Sequence, residues 1–260
     1  MCLILFSFRA HRHFPLVVAA NRDEHHDRPA APAAFWDDQP DIYGGRDLEK
    51  GGTWMGLHAD GRFAAITNYR EGKPGAAAPR SRGELVSGFL AGNDDAGVFF
   101  RKMAVNNALY NPYSMIAGDL RGLQFFSNRI DELHTITPGV HGLSNHLLNT
   151  PWTKVTAGRQ ILSNTVEFDD PDAIGSAMFA MLANDRPAPE AELPDTGITR
   201  QREKELSPPF IRGELYGTRT STVVLVNDAG DVFFHEKRFG PNGTPAGENA
   251  RAFRLQKAVS

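Results

Sequence analysis

Met1-Cys2-Leu3-Ile4-Leu5-Phe6-Ser7-Phe8 opens the chain, and Cys2 is its only cysteine in 260 residues. Cysteine is small enough to permit removal of the initiator methionine. A chain that begins at Cys2 carries a thiol and a free α-amine on one residue. That amine has a reference pKa of about 7.7–8.0, so part of it is unprotonated at neutral pH and can take the thiol proton. Such self-activation is the logic of an N-terminal nucleophile. The plainer reading makes Cys2 a small apolar residue that starts a buried strand, a common setting for free cysteine.

Outward from this segment, Leu3–Phe8 and Phe14–Ala20 are short apolar runs joined by Arg9–His13, the pattern of a hairpin buried on both faces. A polar, proline-containing stretch follows from Asn21 to Gly52, with Phe35-Trp36 expected in a loop. Thr53–His58 and Phe63–Asn68 flank an Asp-Gly turn signal, which predicts a second hairpin. Ser81-Arg82-Gly83-Glu84 has capping-box spacing ahead of Leu85, Val86, Phe89 and Leu90. Further helices are expected over Asp94–Asn107, from Pro151 to about Ser163, and over Asp172–Leu182. Strands are expected at Tyr113–Gly118, Leu123–Phe126 and Val140–Leu143, with a last hairpin from Thr220 to His235. Arg186–Pro194 reads as a loop, and 240–260 as a poorly ordered tail. Strands, helices, strands, helices and strands again in that order predict an α+β layered fold in one domain over 1–260.

Hydrophobic content of 41% and charged content of 23% are those of an ordinary globular protein. A net charge of −3 leaves no electrostatic footprint for nucleic acid. No signal peptide and no membrane-length apolar run is evident, and one cysteine excludes an internal disulfide. The expected location is cytoplasmic. Oligomeric state is not legible.

Asn21-Arg22-Asp23-Glu24, about twenty residues after a starting Met-Cys, resembles the NRDE family, also called transport and Golgi organisation protein 2. Gly44-Gly45-Arg46-Asp47, Gly51–Gly56, Thr67-Asn68-Tyr69-Arg70, Gly142–Asn145, Thr150-Pro151-Trp152 and Tyr216–Arg219 extend the match in family-like order. The resemblance implies an N-terminal nucleophile hydrolase fold, a four-layer αββα sandwich of mainly antiparallel sheets. It implies no settled reaction: members are linked to haem trafficking and to lipid or acyl-CoA homeostasis.

Within that resemblance the candidate catalytic residues are Cys2, Arg22, Asp23, Asn68, Asn145 and Arg219. Asn68 and Asn145 are similar in type and order to the oxyanion and amine-positioning asparagines of the penicillin-acylase and bile-salt-hydrolase group. Arg219 resembles that group's second arginine. Preorganised donors at a developing oxyanion are a large catalytic term. Each asparagine can equally be a turn residue. Arg22 is a candidate thiolate stabiliser and Asp23 a holder of the α-ammonium. Acylases of that group keep these two residues three apart, whereas here they are adjacent. Neighbours in a strand face opposite ways, so either Asn21 with Asp23 or Arg22 with Glu24 faces the site, unless a bulge intervenes. Asn21, Glu24, Trp54 and Tyr69 are candidate substrate-binding residues. The glycine pairs serve either ligand approach or tight turns.

No metal site is expected from His11, His13, His25 and His26, which lack a ligand motif. Gly142-Leu143-Ser144-Asn145-His146 lacks the second glycine of a serine nucleophile elbow. Two functions follow. One is a cysteine amidohydrolase of the N-terminal nucleophile type, cleaving a small or lipid-like amide without a cofactor. The alternative is a non-catalytic carrier that holds haem or an acyl ligand in the same cavity.

Overall fold

The computed structural model describes residues 2–72, 78–130 and 132–256. The opening apolar runs form β1 (Cys2–Phe8) and β2 (Leu16–His25), antiparallel, with every residue of β1 buried. They lie inside a six-stranded sheet of order β10-β1-β2-β11-β12-β13, completed by β10 (Gly139–Leu143), β11 (Tyr216–Val226), β12 (Asp231–Phe239) and β13 (Pro245–Arg254). A seven-stranded sheet runs in chain order through β3 (Ala30–Trp36), β4 (Gln39–Asp47), β5 (Met55–His58), β6 (Phe63–Asn68), β7 (Tyr113–Asp119), β8 (Gly122–Ser127) and β9 (Glu132–Ile136). All named strand pairs are antiparallel.

Strand alternation sorts the core into layers. Ile4, Phe6, Leu16, Val18 and Ala20 point between the sheets and meet Met55, Leu57, Phe63 and Ala65. Leu3, Leu5, Val17 and Ala19 point the other way, onto α3 (Thr153–Asn164) and α4 (Pro171–Leu182). On the far side, Ala64, Ile66 and Met115 pack under α1 (Gly83–Ala91) and α2 (Ala96–Ala104). The expected αββα sandwich is therefore what the chain builds.

Several local expectations are corrected. Phe35-Trp36 is not in a loop: the Asn21–Gly52 stretch finishes β2 and forms β3, which includes both residues, and β4. The region after 240 is not a loose tail up to residue 256, because β13 pairs with β12 from Phe239↔Pro245 to Asp231↔Arg254; residues 257–260 lie outside the described residues. Helix α3 starts at Thr153, two residues beyond Pro151. A short helix α5 (Arg200–Glu205), capped by Thr199, follows a segment that carries no apolar periodicity. The capping box does not form. Ser81 Oγ accepts from Gly83 N, while Glu84 binds Tyr110 Oη at 2.6 Å and pairs with Arg80. Among the described residues no helix is long and apolar enough to cross a membrane.

Candidate functional site

The register places Cys2 opposite Arg22 in the β1–β2 ladder, so both side chains share the inter-sheet face. They line a cavity of about 530 Å³ at the open end of the sandwich. Glu24, two residues on, lines it too, and its Oε2 stands 3.9 Å from Arg22 Nη2. The opposite wall comes from the second sheet and the start of α1: Trp54, Thr67, Asn68, Ser81 and Arg82.

Arg22 with Glu24 is thus the pair that the cavity receives. Asn21 is wholly buried on the helix side. Its Nδ2 donates to the carbonyls of Leu182 (2.8 Å) and Pro209 (2.9 Å), and its Oδ1 accepts from Ser221 Oγ (2.6 Å). The expectation that Asn21 binds substrate is corrected, because both ends of its amide are engaged by the fold. Asp23 also faces the helix side at the cavity edge, where its Oδ1 accepts from Thr218 Oγ1 at 2.6 Å. Burial pushes the Asp23 carboxyl up, opposed by Lys154, the Thr218 hydrogen bond and Arg22.

Asn68 ends β6, and its Oδ1 accepts from Asn145 Nδ2 at 2.7 Å. That contact orients the Asn68 amide so that its Nδ2 is the end left to donate. Asn145 itself adopts φ = +55°, a left-handed turn conformation that asparagine tolerates better than most residues. The turn reading of this residue is therefore met, and the same turn brings its amide to Asn68. Its loop is pinned by Ser144 Oγ on the Cys2 carbonyl (3.0 Å) and by Arg70 N on the Asn145 carbonyl (2.7 Å). Arg70 is in turn held by Glu203 and lies 4.4 Å from the Trp152 ring centre.

Two other candidates stand apart from this cluster. Arg219 lies at a bulge between Thr218 and Thr220, and its Nη1 donates to the carbonyls of His25 (2.7 Å) and Arg28 (3.0 Å), which ties down the chain after β2. Tyr69 Oη meets His146 Nε2 at 2.7 Å, outside the cavity lining. The glycine pairs serve contacts within the protein. A Cβ on Gly44 would come 2.8 Å from the Met55 carbonyl, and one on Gly52 2.5 Å from the Gly83 backbone.

Burial pushes the Cys2 thiol up, and the Asp23 carboxylate adds to that push against the influence of Arg22. A thiol in this setting stays protonated at neutral pH unless a base adjoins it.

A family model described as "Transport and Golgi organisation 2" matches residues 1–241. The chain belongs to the transport and Golgi organisation 2 family. It is 37% identical to the Transport and Golgi organization protein 2 homolog of Bos taurus, over 98% of this chain and 100% of that one. Identity to the Homo sapiens homolog is 36%, over 91% of this chain and 92% of that one. Among solved structures, a C2A mutant of the conjugated bile acid hydrolase from Clostridium perfringens matches with a TM-score of 0.45 at 10% identity, over 100% of this chain and 94% of that one. The N-acylethanolamine-hydrolyzing acid amidase ortholog of Caenorhabditis elegans matches at 0.46 and 10%, over 86% and 92%.

In this transport and Golgi organisation 2 chain, five residues near the site escaped sequence reasoning. Arg82 sits inside the supposed capping box. Arg28 carries no pattern, and Arg202 sits in a charged run without apolar periodicity. Glu236 shares the inward face of β12 with Val232 and Phe234, so a buried acid at that phase was a usable signal. Lys154 lies on the buried face of α3 beside Val155 and Gly158, donates to the Leu206 carbonyl at 3.0 Å, and is driven down to about 8 by burial, opposed by Asp23.

The imidazole that lines the cavity is His25, exposed at the end of β2, and the walls mix charged side chains with Trp54, Ile66, Ala30 and Ala31. Among the described residues no group of three His, Cys, Asp or Glu side chains is arranged to hold a metal ion.

Proposed function

We propose that this protein is a cysteine amidohydrolase that acts through Cys2 once Met1 is removed. The observation that carries the reading is the convergence, around one cavity, of Cys2, its cross-strand partner Arg22, the adjacent Asp23 and Asn68, whose amide Asn145 holds from behind the lining. The processed Cys2 α-amine takes the thiol proton, and the thiolate attacks the amide carbon. Asp23 holds the resulting ammonium. Asn68 Nδ2 donates to the oxyanion, a role that Asn145 supports by fixing the amide. The C–N bond breaks as the leaving amine takes a proton from the α-ammonium, which leaves a thioester on Cys2. Water, deprotonated by the same amine, releases the acid and restores the thiol.

For a chain that keeps Met1 the second reading is a cavity that binds an acyl ligand without cleaving it, since burial of Cys2 leaves the thiol protonated and unreactive.

Intact-protein mass spectrometry, before and after a mild alkylator, separates the two. The hydrolase reading expects a mass lacking Met1 and fast single alkylation that Cys2→Ser abolishes. Retention of Met1 in the purified protein, with a thiol slow to alkylate, sinks it.

A further inference from the structure

Five arginines line the Cys2 cavity: Arg22, Arg28, Arg46, Arg82 and Arg202. Three of them have close carboxylate partners. Arg28 holds Asp47 at 2.6 Å, Arg46 holds Asp38, and Arg202 holds Glu205 at 3.0 Å. Arg22, the cross-strand partner of Cys2, and Arg82, on the opposite wall, differ. Arg22 has Glu24 at 3.9 Å, beyond hydrogen-bonding distance, and its Nη1 is buried with no hydrogen-bond partner among the described residues. Arg82 has no ion pair among the described residues; one of its N–H groups donates to the Pro112 carbonyl at 3.0 Å. Burial pulls the Arg82 guanidinium down, opposed by the negative charges that Cys2 and Glu24 can carry.

The same cavity also holds two buried hydroxyls without hydrogen-bond partners, Thr67 Oγ1 and Thr220 Oγ1. Thr67 stands on the second sheet, while Thr220 is the cross-strand neighbour of Arg22 on β11. Buried donors without acceptors are costly and are rarely left so in a folded protein. Two planar cations and two hydroxyls that converge from both sheets match the several acceptor oxygens of a carboxylate or phosphate. Trp54, Ile66, Ala30 and Ala31 supply the apolar part of the lining.

We infer that the substrate carries an oxyanion near its scissile amide, and that Arg22 and Arg82 grip this group from opposite walls of the cavity. The inference rests on the hydrolase reading for the word substrate, and on the cavity alone for anion binding. A carboxylate from an acylated amino acid and a phosphate monoester from an acylated amino alcohol share this chemistry.

The test uses the full-length Cys2→Ala protein, which removes turnover but leaves both arginines. Calorimetric titration compares N-octanoylglycine, its neutral isostere N-octanoylglycinamide, and N-octanoyl-phosphoethanolamine. The anionic probes are expected to bind about tenfold or more tighter than the amide, the worth of one good charged hydrogen bond. Raising the salt concentration narrows that margin. Arg82→Gln on the same background removes it, while Arg82→Lys keeps part of it. The stronger of the two anions names the source. Equal binding of charged and neutral probes, or no binding of any, overturns the inference even if Arg82→Gln fails to fold. Release of amine by the wild-type protein is measured separately, so anion preference without release refutes hydrolysis alone.

Discussion

Replacing Asn21 by alanine separates the structural from the chemical half of the Asn-Arg-Asp-Glu motif. The side chain is fully buried and makes three hydrogen bonds: to the Leu182 carbonyl at the end of α4, to the Pro209 carbonyl, and from Ser221 on β11. At a net 0.5–1.5 kcal/mol per bond, truncation removes roughly 3 kcal/mol, and the two orphaned carbonyls oppose any relaxation. A protein of this size loses about 2–4 °C of Tm per kcal/mol, so the melting midpoint falls by roughly 6–12 °C. Differential scanning fluorimetry reads that fall, and urea unfolding should give a lower midpoint at an unchanged slope. Below its new midpoint the variant should keep wild-type Cys2 alkylation kinetics, since no Asn21 atom faces the cavity. An unchanged Tm with slowed alkylation would refute this assignment and return Asn21 to the site.

Asn68→Ala removes the proposed oxyanion donor and should lower kcat by roughly 10²–10³-fold with little change in KM, read by amine release. Equal losses in KM alone would make Asn68 a ground-state binder. Lys154 is driven down to about 8 from an ordinary 10.5, so its charged form disfavours the folded state. That cost is full below pH 8 and is relieved as pH rises from about 8 to 10.5, where the unfolded chain holds the extra proton. Melts at pH 7, 8, 9 and 10 should show Tm rising in the wild type relative to Lys154→Met across that window, and a flat difference would remove Lys154 as the titrating group.

The fold was legible where apolar runs met firm punctuation, as at β1, β2 and the β5–β6 hairpin. It was hidden where pairing rather than composition makes the strand. β3 is an edge strand of Ala-Ala-Pro-Ala-Ala-Phe-Trp, tolerated there because an edge leaves room for Pro32 and for the register skip between Ala31 and Ala34. β13 is likewise an edge, mostly exposed, and held by its ladder to β12. Of the site, residue types were readable, and Cys2, Arg22, Asp23, Glu24, Trp54 and Asn68 do line one cavity. The destination of each side chain was not readable, because it depends on register. Arg219 and Tyr69 sit in motifs that match, yet they support the loops around the site.

The adjacency of Arg22 and Asp23, a departure from the acylase spacing, follows from the ladder. Because β2 keeps its regular alternation opposite Cys2, consecutive residues deliver one group to each side of the sheet. Arg22 goes to the inter-sheet cavity with the thiol, and Asp23 to the helix side with Thr218 and within the field of Lys154. Asn21 precedes them on the Asp23 face and clamps α4 to the sheet, while Glu24 follows on the Arg22 face. The four-residue motif is thus two interleaved pairs, with Asn21 and Asp23 anchored against the helix layer and Arg22 and Glu24 facing the inter-sheet cavity. A one-residue slip of β2 would exchange the pairs and bury Arg22 against Leu182, so the motif fixes its strand's register as well as its chemistry.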